Sequence, residues 1–288
     1  MGFSSKRLNA LDEHLRENYI DNQRYSGVLT GIFRQGELVH VSPIGLSDIE
    51  NKKPVQRDTI FRIYSMSKPI TSVALMTLYE NGLFQLDDPV SEYIPQFKNL
   101  EVFDSGVFGD FQTTRVDREM TVRDLLSHQS GLTYGFVNRT NVDKAYRDAG
   151  VGEMRTTGNL QKMIDCLSKI PLEFSPGDRW NYSVSTDVCG YLVEVISGKP
   201  FDVFLDEVIF QPLGMVDTGF YVKEGEKARL ASLYSYSESG TPLHVSDFDA
   251  GDYTRKPGFL SGGGGLVSTL DDYMAFCQMI LGNGTYQG

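Results

Sequence analysis

The chain has 288 residues, 40% of them hydrophobic and 23% charged, which is ordinary for a globular protein with one large core or two lobes sharing one. Its 17 Phe and 15 Tyr argue against disorder, and its net charge of −11 argues against nucleic-acid and anionic-membrane partners, whose phosphates it would repel. Cys166, Cys189 and Cys277 are few and unpaired in pattern, and the four histidines lack metal-ligand spacing, so reduced thiols and no metal site are expected.

The first residues, MGFSSKRLNALDEHL, contain no apolar signal core, and no apolar run reaches the ~20 residues of a membrane span. A cytoplasmic location is therefore expected. Ser4 or Ser5 caps a first helix whose apolar positions, Leu8, Leu11, Leu15 and Tyr19, recur at spacings of three and four. Two strands follow, Ser26–Arg34 and Glu37–Ser42, joined by the two-residue turn Gln35-Gly36. Ser65–Asn81 reads as a buried helix stopped by Gly82, with Pro69 in its opening turns, where a missing N–H costs little. Residues 98–118 read as an irregular surface excursion. Thr121–Ser127 is a capped helix, and residues 136–160 read as a polar flap over a site. Helices are expected at Ile164–Leu167, Ser185–Ser197, Phe201–Ile209 and Leu270–Leu281, with the glycine run Ser261–Leu266 as a close-approach or hinge segment.

The residues with chemical potential centre on Ser65-Met66-Ser67-Lys68. A serine hydroxyl needs a neighbouring base, and residues three apart on a helix share a face, so Lys68 can reach Ser65. Burial would favour a neutral amine on Lys68, and the helix N-terminus would offer the Ser65 amide to an oxyanion. Tyr182, in Trp180-Asn181-Tyr182-Ser183, is the second member: a phenol beside an ammonium can serve as base and then acid. No G-x-S-x-G elbow exists, which disfavours a Ser-His-Asp triad on an α/β-hydrolase fold. His128, at a helix end, is expected to pair with terminal carbonyls. The glycine run lacks the Lys-Ser/Thr of a phosphate loop.

With Ile60–Pro69, Leu86-Asp87-Asp88-Pro89-Val90, Leu125–Leu132, Ser175-Pro176-Gly177, Trp180–Ser183 and Gln211–Met215 in this order, the sequence resembles the serine β-lactamase superfamily. Within it, the family VIII carboxylesterases related to class C β-lactamases are the nearest match. The resemblance implies a serine β-lactamase/D,D-peptidase-like fold, α/β with an all-α lobe, whose antiparallel sheet is flanked by helices. It implies a division into 1–60 (helix and hairpin of the α/β lobe), 61–260 (mostly helical, with Ser65, Lys68 and Tyr182) and 261–288 (return helix). It also implies a Ser65 acyl-enzyme, proton transfer through Lys68 and Tyr182, and no cofactor.

The expected substrate is a small-molecule ester of short to medium chain length, with Tyr134, Phe136 and Gly263 as candidate substrate-binding residues. A β-lactamase, a D-Ala or D-amino-acid peptidase, an acyltransferase and a non-catalytic penicillin sensor are the alternatives. Two departures bear on them. Val184 stands where class C enzymes have an Asn for the lactam side chain, which favours an esterase. The family's third motif has no counterpart after Leu281, so the chain is expected to lack its C-terminal strands, leaving a hairpin edge for a further segment or a second polypeptide to cover.

Overall fold

A computed structural model describes residues 2–152, 158–235, 243–245 and 252–287. The chain divides into two compact units: residues 1–62, 210–256 and 267–288 form one, and 63–209 with 257–266 the other. The expected boundary at residue 260 therefore shifts, because 210–256 clusters with the N-terminal residues rather than with the helices.

In the first unit, α1 (Ser5–Leu15) precedes the antiparallel pair β1 (Gly27–Arg34) and β2 (Glu37–Asp48). Gln35 and Gly36 both have positive φ, 55° and 80°, the geometry that lets a two-residue turn follow the twist of its strands. β3 (Lys53–Pro54) pairs with β2, giving the order β1-β2-β3, and β1 meets no other strand among the described residues. β4 (Phe61–Arg62) pairs with β9 (Val267–Ser268), and β7 (Tyr234–Ser235) with β8 (His244–Val245). Ile60, Val222 and Val267 make a buried cluster beneath Leu230 and Tyr253. The helix α9 (Leu270–Leu281) lies on β1, where Leu270 fills the space left by Gly31, and the short α8 (Gln211–Leu213) packs on α9.

The second unit is mainly helical. Its elements are α2 (Ser67–Glu80), β5 (Glu101–Val107), β6 (Asp110–Arg115), α3 (Val122–Leu126), α4 (Asn141–Asp148), α5 (Leu160–Leu167), α6 (Ser185–Ser197) and α7 (Phe201–Leu205). α6 is the hub, packed against α2, α3, α5 and α7, and it ends at Gly198 with φ 70°. A methyl at Gly190 would stand 2.9 Å from the Phe201 ring, so glycine is what lets α6 and α7 close up. α2 buries Ile70, Thr71, Ala74, Leu75 and Leu78 in the same core.

Two expectations for this unit need correction. Residues 98–118 are not irregular: β5 and β6 form a hairpin around Phe108-Gly109, whose glycine has φ 94°. Residues 136–160 are not simply a polar flap, since α4 buries Val142, Ala145 and Tyr146 and starts at a Thr140–Asp143 capping box. Residues 153–157 of that stretch lie outside the described residues.

Candidate active site

All six expected site residues belong to the second unit. Ser65 sits in a single 3-10 turn, Tyr64–Met66, that runs straight into α2, so it is exposed while Ser67 beside it is fully buried. Tyr64 enters this turn with φ 43°, a left-handed conformation uncommon for a bulky residue. The hydroxyls of Ser65 and Tyr182 lie 2.5 Å apart, and Lys68 Nζ donates to Ser65 Oγ at 3.3 Å and to the Gly263 carbonyl at 2.6 Å. The ammonium also lies over two aromatic faces, 4.5 Å from the Tyr182 ring centroid and 5.5 Å from that of Tyr134.

The glycine run is a close-approach segment rather than a hinge. The Gly262 carbonyl accepts from the Thr71 hydroxyl at 2.8 Å, and the Leu266 amide donates to Ser67 Oγ at 3.1 Å. A methyl at Gly262 would stand 2.7 Å from the Thr186 carbonyl oxygen. The run is thus pinned to α2 on both sides of Gly263.

Tyr134 and Phe136 stack with centroids 4.6 Å apart, but they differ in exposure. Tyr134 is 8% exposed, with its hydroxyl turned toward Gly263, whereas Phe136 is 40% exposed. Burial first, then the Asp187 charge, push the Tyr134 phenol well above its ordinary range, so it stays protonated. The aromatic array continues from Tyr134 to Tyr182, 5.4 Å away, and on to Trp180, which is 65% exposed. Val184 is buried, with its amide donating to the Thr133 carbonyl.

His128 does not bind helix-terminal carbonyls as expected. Its ring lies 5.1 Å from Tyr182, and its Nδ1 is 3.1 Å from Ser183 Oγ. Behind it runs a buried line of hydroxyls: Ser183 to Ser185 at 2.7 Å, Ser185 to Ser130 at 2.7 Å, and Ser130 accepting from the Leu132 amide at 3.2 Å. The direction that gives every hydroxyl an acceptor runs from Leu132 toward the ring, making Nδ1 the acceptor and leaving the ring proton on Nε2. Burial, and secondarily the charge of Lys68, push the His128 pKa down to about 4, so the ring is neutral at neutral pH.

This depression has a measurable consequence for stability. Between the ordinary histidine value of 6.5 and about 4, the unfolded chain takes up a proton that the folded chain refuses. The associated stability is complete above pH 6.5 and is lost as pH falls toward 4. At ~1.4 kcal/mol per pKa unit the loss is at most about 3 kcal/mol, reduced by the ring's partial exposure. His128 has φ 56°, a conformation asparagine tolerates, so His128→Asn removes the titration without new backbone strain. Urea unfolding at pH 7 and pH 4.5 is expected to show a difference smaller by about 2 kcal/mol in the variant. An unchanged difference would contradict a neutral buried ring.

Sequence reasoning missed Asp187, Ser261, Trp180 and the serine line. Asp187 left a faint signal, a carboxylate just ahead of the apolar run Val188–Val193 in α6. The others are contacts between segments, invisible in any local pattern.

A family model described as beta-lactamase matches residues 11–287. An uncharacterized protein of Mycobacterium tuberculosis is 37% identical over 263 residues, covering 91% of this chain and 64% of its own length. The esterase EstB of Burkholderia gladioli is 31% identical, over 96% of this chain and 70% of EstB. Among solved structures, EstCE1, a hydrolase with promiscuous acyltransferase activity, is 26% identical with a TM-score of 0.80, over 98% of this chain and 73% of that protein. The chain thus spans under two thirds of the mycobacterial relative and somewhat more of the other two. The order of motifs, the helical unit around Ser65 and these likenesses agree, and the chain belongs to the beta-lactamase family, with the fold its sequence implied.

Proposed function

We propose that the protein is a serine ester hydrolase that works through a Ser65 acyl-enzyme. The observation that carries this reading is the convergence of the Tyr182 hydroxyl and Lys68 Nζ on Ser65 Oγ, at 2.5 and 3.3 Å. Ser65 Oγ bonds to the carbonyl carbon of a small-molecule ester while its proton passes to the oxygen of Tyr182, the nearer acceptor, which enters the step as the phenolate. Tyr182 returns the proton to the alcohol oxygen as the carbon–alcohol bond breaks. Water then attacks the acyl-enzyme by the same route in reverse. Lys68, tethered by the Gly263 carbonyl, lies 3.3 Å from Ser65 Oγ and over the Tyr182 ring, where a cation offsets the negative charge that moves between the two side chains. An alcohol in place of water gives acyl transfer from the same intermediate. EstCE1, described as a hydrolase with promiscuous acyltransferase activity, supports this second outcome.

Phe136 and Trp180, both exposed, offer apolar surface for the acyl or alcohol group, with Tyr134 and Gly263 behind them. Val184 supports an ester rather than a lactam, because its buried apolar side chain gives no amide to a lactam substituent. The free thiols Cys166, Cys189 and Cys277 support a reducing, cytoplasmic location. The test is intact-mass analysis of the full chain after treatment with a fluorophosphonate. One adduct, mapped to Ser65, is expected, together with turnover of nitrophenyl esters in preference to a cephalosporin. An adduct elsewhere, or none, overturns the assignment.

A further inference from the structure

The proton transfers above leave unused a buried carboxylate close to Lys68. Asp187 lies on the first turn of α6 and is 3% exposed. Its Oδ1 accepts from the Ser261 hydroxyl at 2.6 Å and from the Gly263 amide at 3.0 Å, and the Tyr134 hydroxyl flanks the same Gly263 as its Oδ2. A buried carboxylate is costly unless it accepts hydrogen bonds, and here Oδ1 accepts two from the segment that carries the Lys68 acceptor. Burial pushes Asp187 up from the ordinary carboxylate value, while the Ser261 and Gly263 hydrogen bonds and the Lys68 charge pull the other way.

The same groups define where Lys68 can be. The Gly263 carbonyl takes its Nζ at 2.6 Å, and the Tyr134 ring underlies that ammonium. The space is closed: a methyl on Gly263 would stand 2.7 Å from Asp187 Oδ2 and 2.8 Å from the Tyr134 hydroxyl. Nothing but glycine lets the segment approach so near.

We propose that Asp187 is the positioning residue for Lys68, clamping Ser261 and Gly263 so that the Gly263 carbonyl holds Nζ within reach of Ser65. The proposal rests on the reading of Ser65, Lys68 and Tyr182 as the reacting group. Asp187 hydrogen-bonds to Ser261 and Gly263 and not to Ser65. It acts through the backbone of the glycine run, as a rigid support for a catalytic side chain must.

Asp187→Asn keeps the size but turns an acceptor edge into a donor that faces other donors. In the full chain, kcat for a nitrophenyl ester is expected to fall about 100-fold with KM changed less than about threefold, since misplacement of a reacting group costs turnover rather than binding. The Lys68 side-chain nitrogen resonance, assigned with Lys68→Arg, is expected to broaden or shift. A kcat within about threefold of the parent and an unchanged resonance overturn the proposal. If Asp187→Asn fails to fold, Ser261→Ala and Ser261→Thr decide it. About a tenfold loss in kcat for Ala, restored by Thr, supports the clamp, and equal rates in parent and Ala overturn it. A parent in which Ser65 takes up no fluorophosphonate fails the underlying reading instead, and the Lys68 resonance then decides the positioning role alone.

Discussion

Ser65→Ala is expected to lower ester turnover by about 10,000-fold or more while moving the melting temperature by no more than a few degrees. Loss of the attacking oxygen removes the acyl-enzyme route entirely, and a 10,000-fold loss corresponds to about 5.5 kcal/mol of barrier. The structural cost is small because Ser65 is exposed, and among the described residues its hydroxyl bonds only to Tyr182 and Lys68. Initial rates on a nitrophenyl ester, beside thermal unfolding of the same preparation, separate the two effects. Activity near the parent level would remove Ser65 from the mechanism.

Lys68→Ala is expected to cost nearly as much turnover, about 1,000-fold, but with a different stability signature. The change deletes the donor at 3.3 Å from Ser65 and also the donor at 2.6 Å from the Gly263 carbonyl. Gly263 is buried, so its carbonyl loses a partner that water reaches poorly, a loss of about 1–3 kcal/mol. A melting temperature several degrees below that of Ser65→Ala is therefore expected. Residual activity within tenfold of the parent would refute the role assigned to Lys68.

Local signals in the sequence were enough for elements held together by near neighbours. The Gln35-Gly36 turn marked the first hairpin, Thr121 marked the start of α3, and Gly198 marked the end of α6. The second hairpin was not legible because β5 and β6 are exposed along most of both faces, and a strand without a buried face shows no two-residue alternation. α4 was hidden for another reason: its apolar stripe is only Val142, Ala145 and Tyr146, within an otherwise polar stretch.

The same division runs through the candidate site. Ser65 and Lys68 are three apart on one helical face, so their proximity follows from helix geometry alone. Tyr182 is separated from Ser65 by 117 positions, and only its motif, met in the family's order, pointed to it. Asp187 and Ser261 are 74 positions apart with no motif to join them, and His128 and Ser183, 55 apart, lie in two motifs that say nothing of their contact. Such pairs exist only once α6 has gathered its neighbours.

The left-handed Tyr64 also bears on how this protein can be improved. Holding a bulky side chain at φ 43° costs on the order of 1 kcal/mol, and that cost falls one residue before Ser65. Glycine at this position would relieve it, so a screen that rewards heat resistance alone would favour relaxing the turn that presents Ser65. Laboratory evolution for durability and for turnover would then pull this position in opposite directions, and a library aimed at both should leave residue 64 fixed.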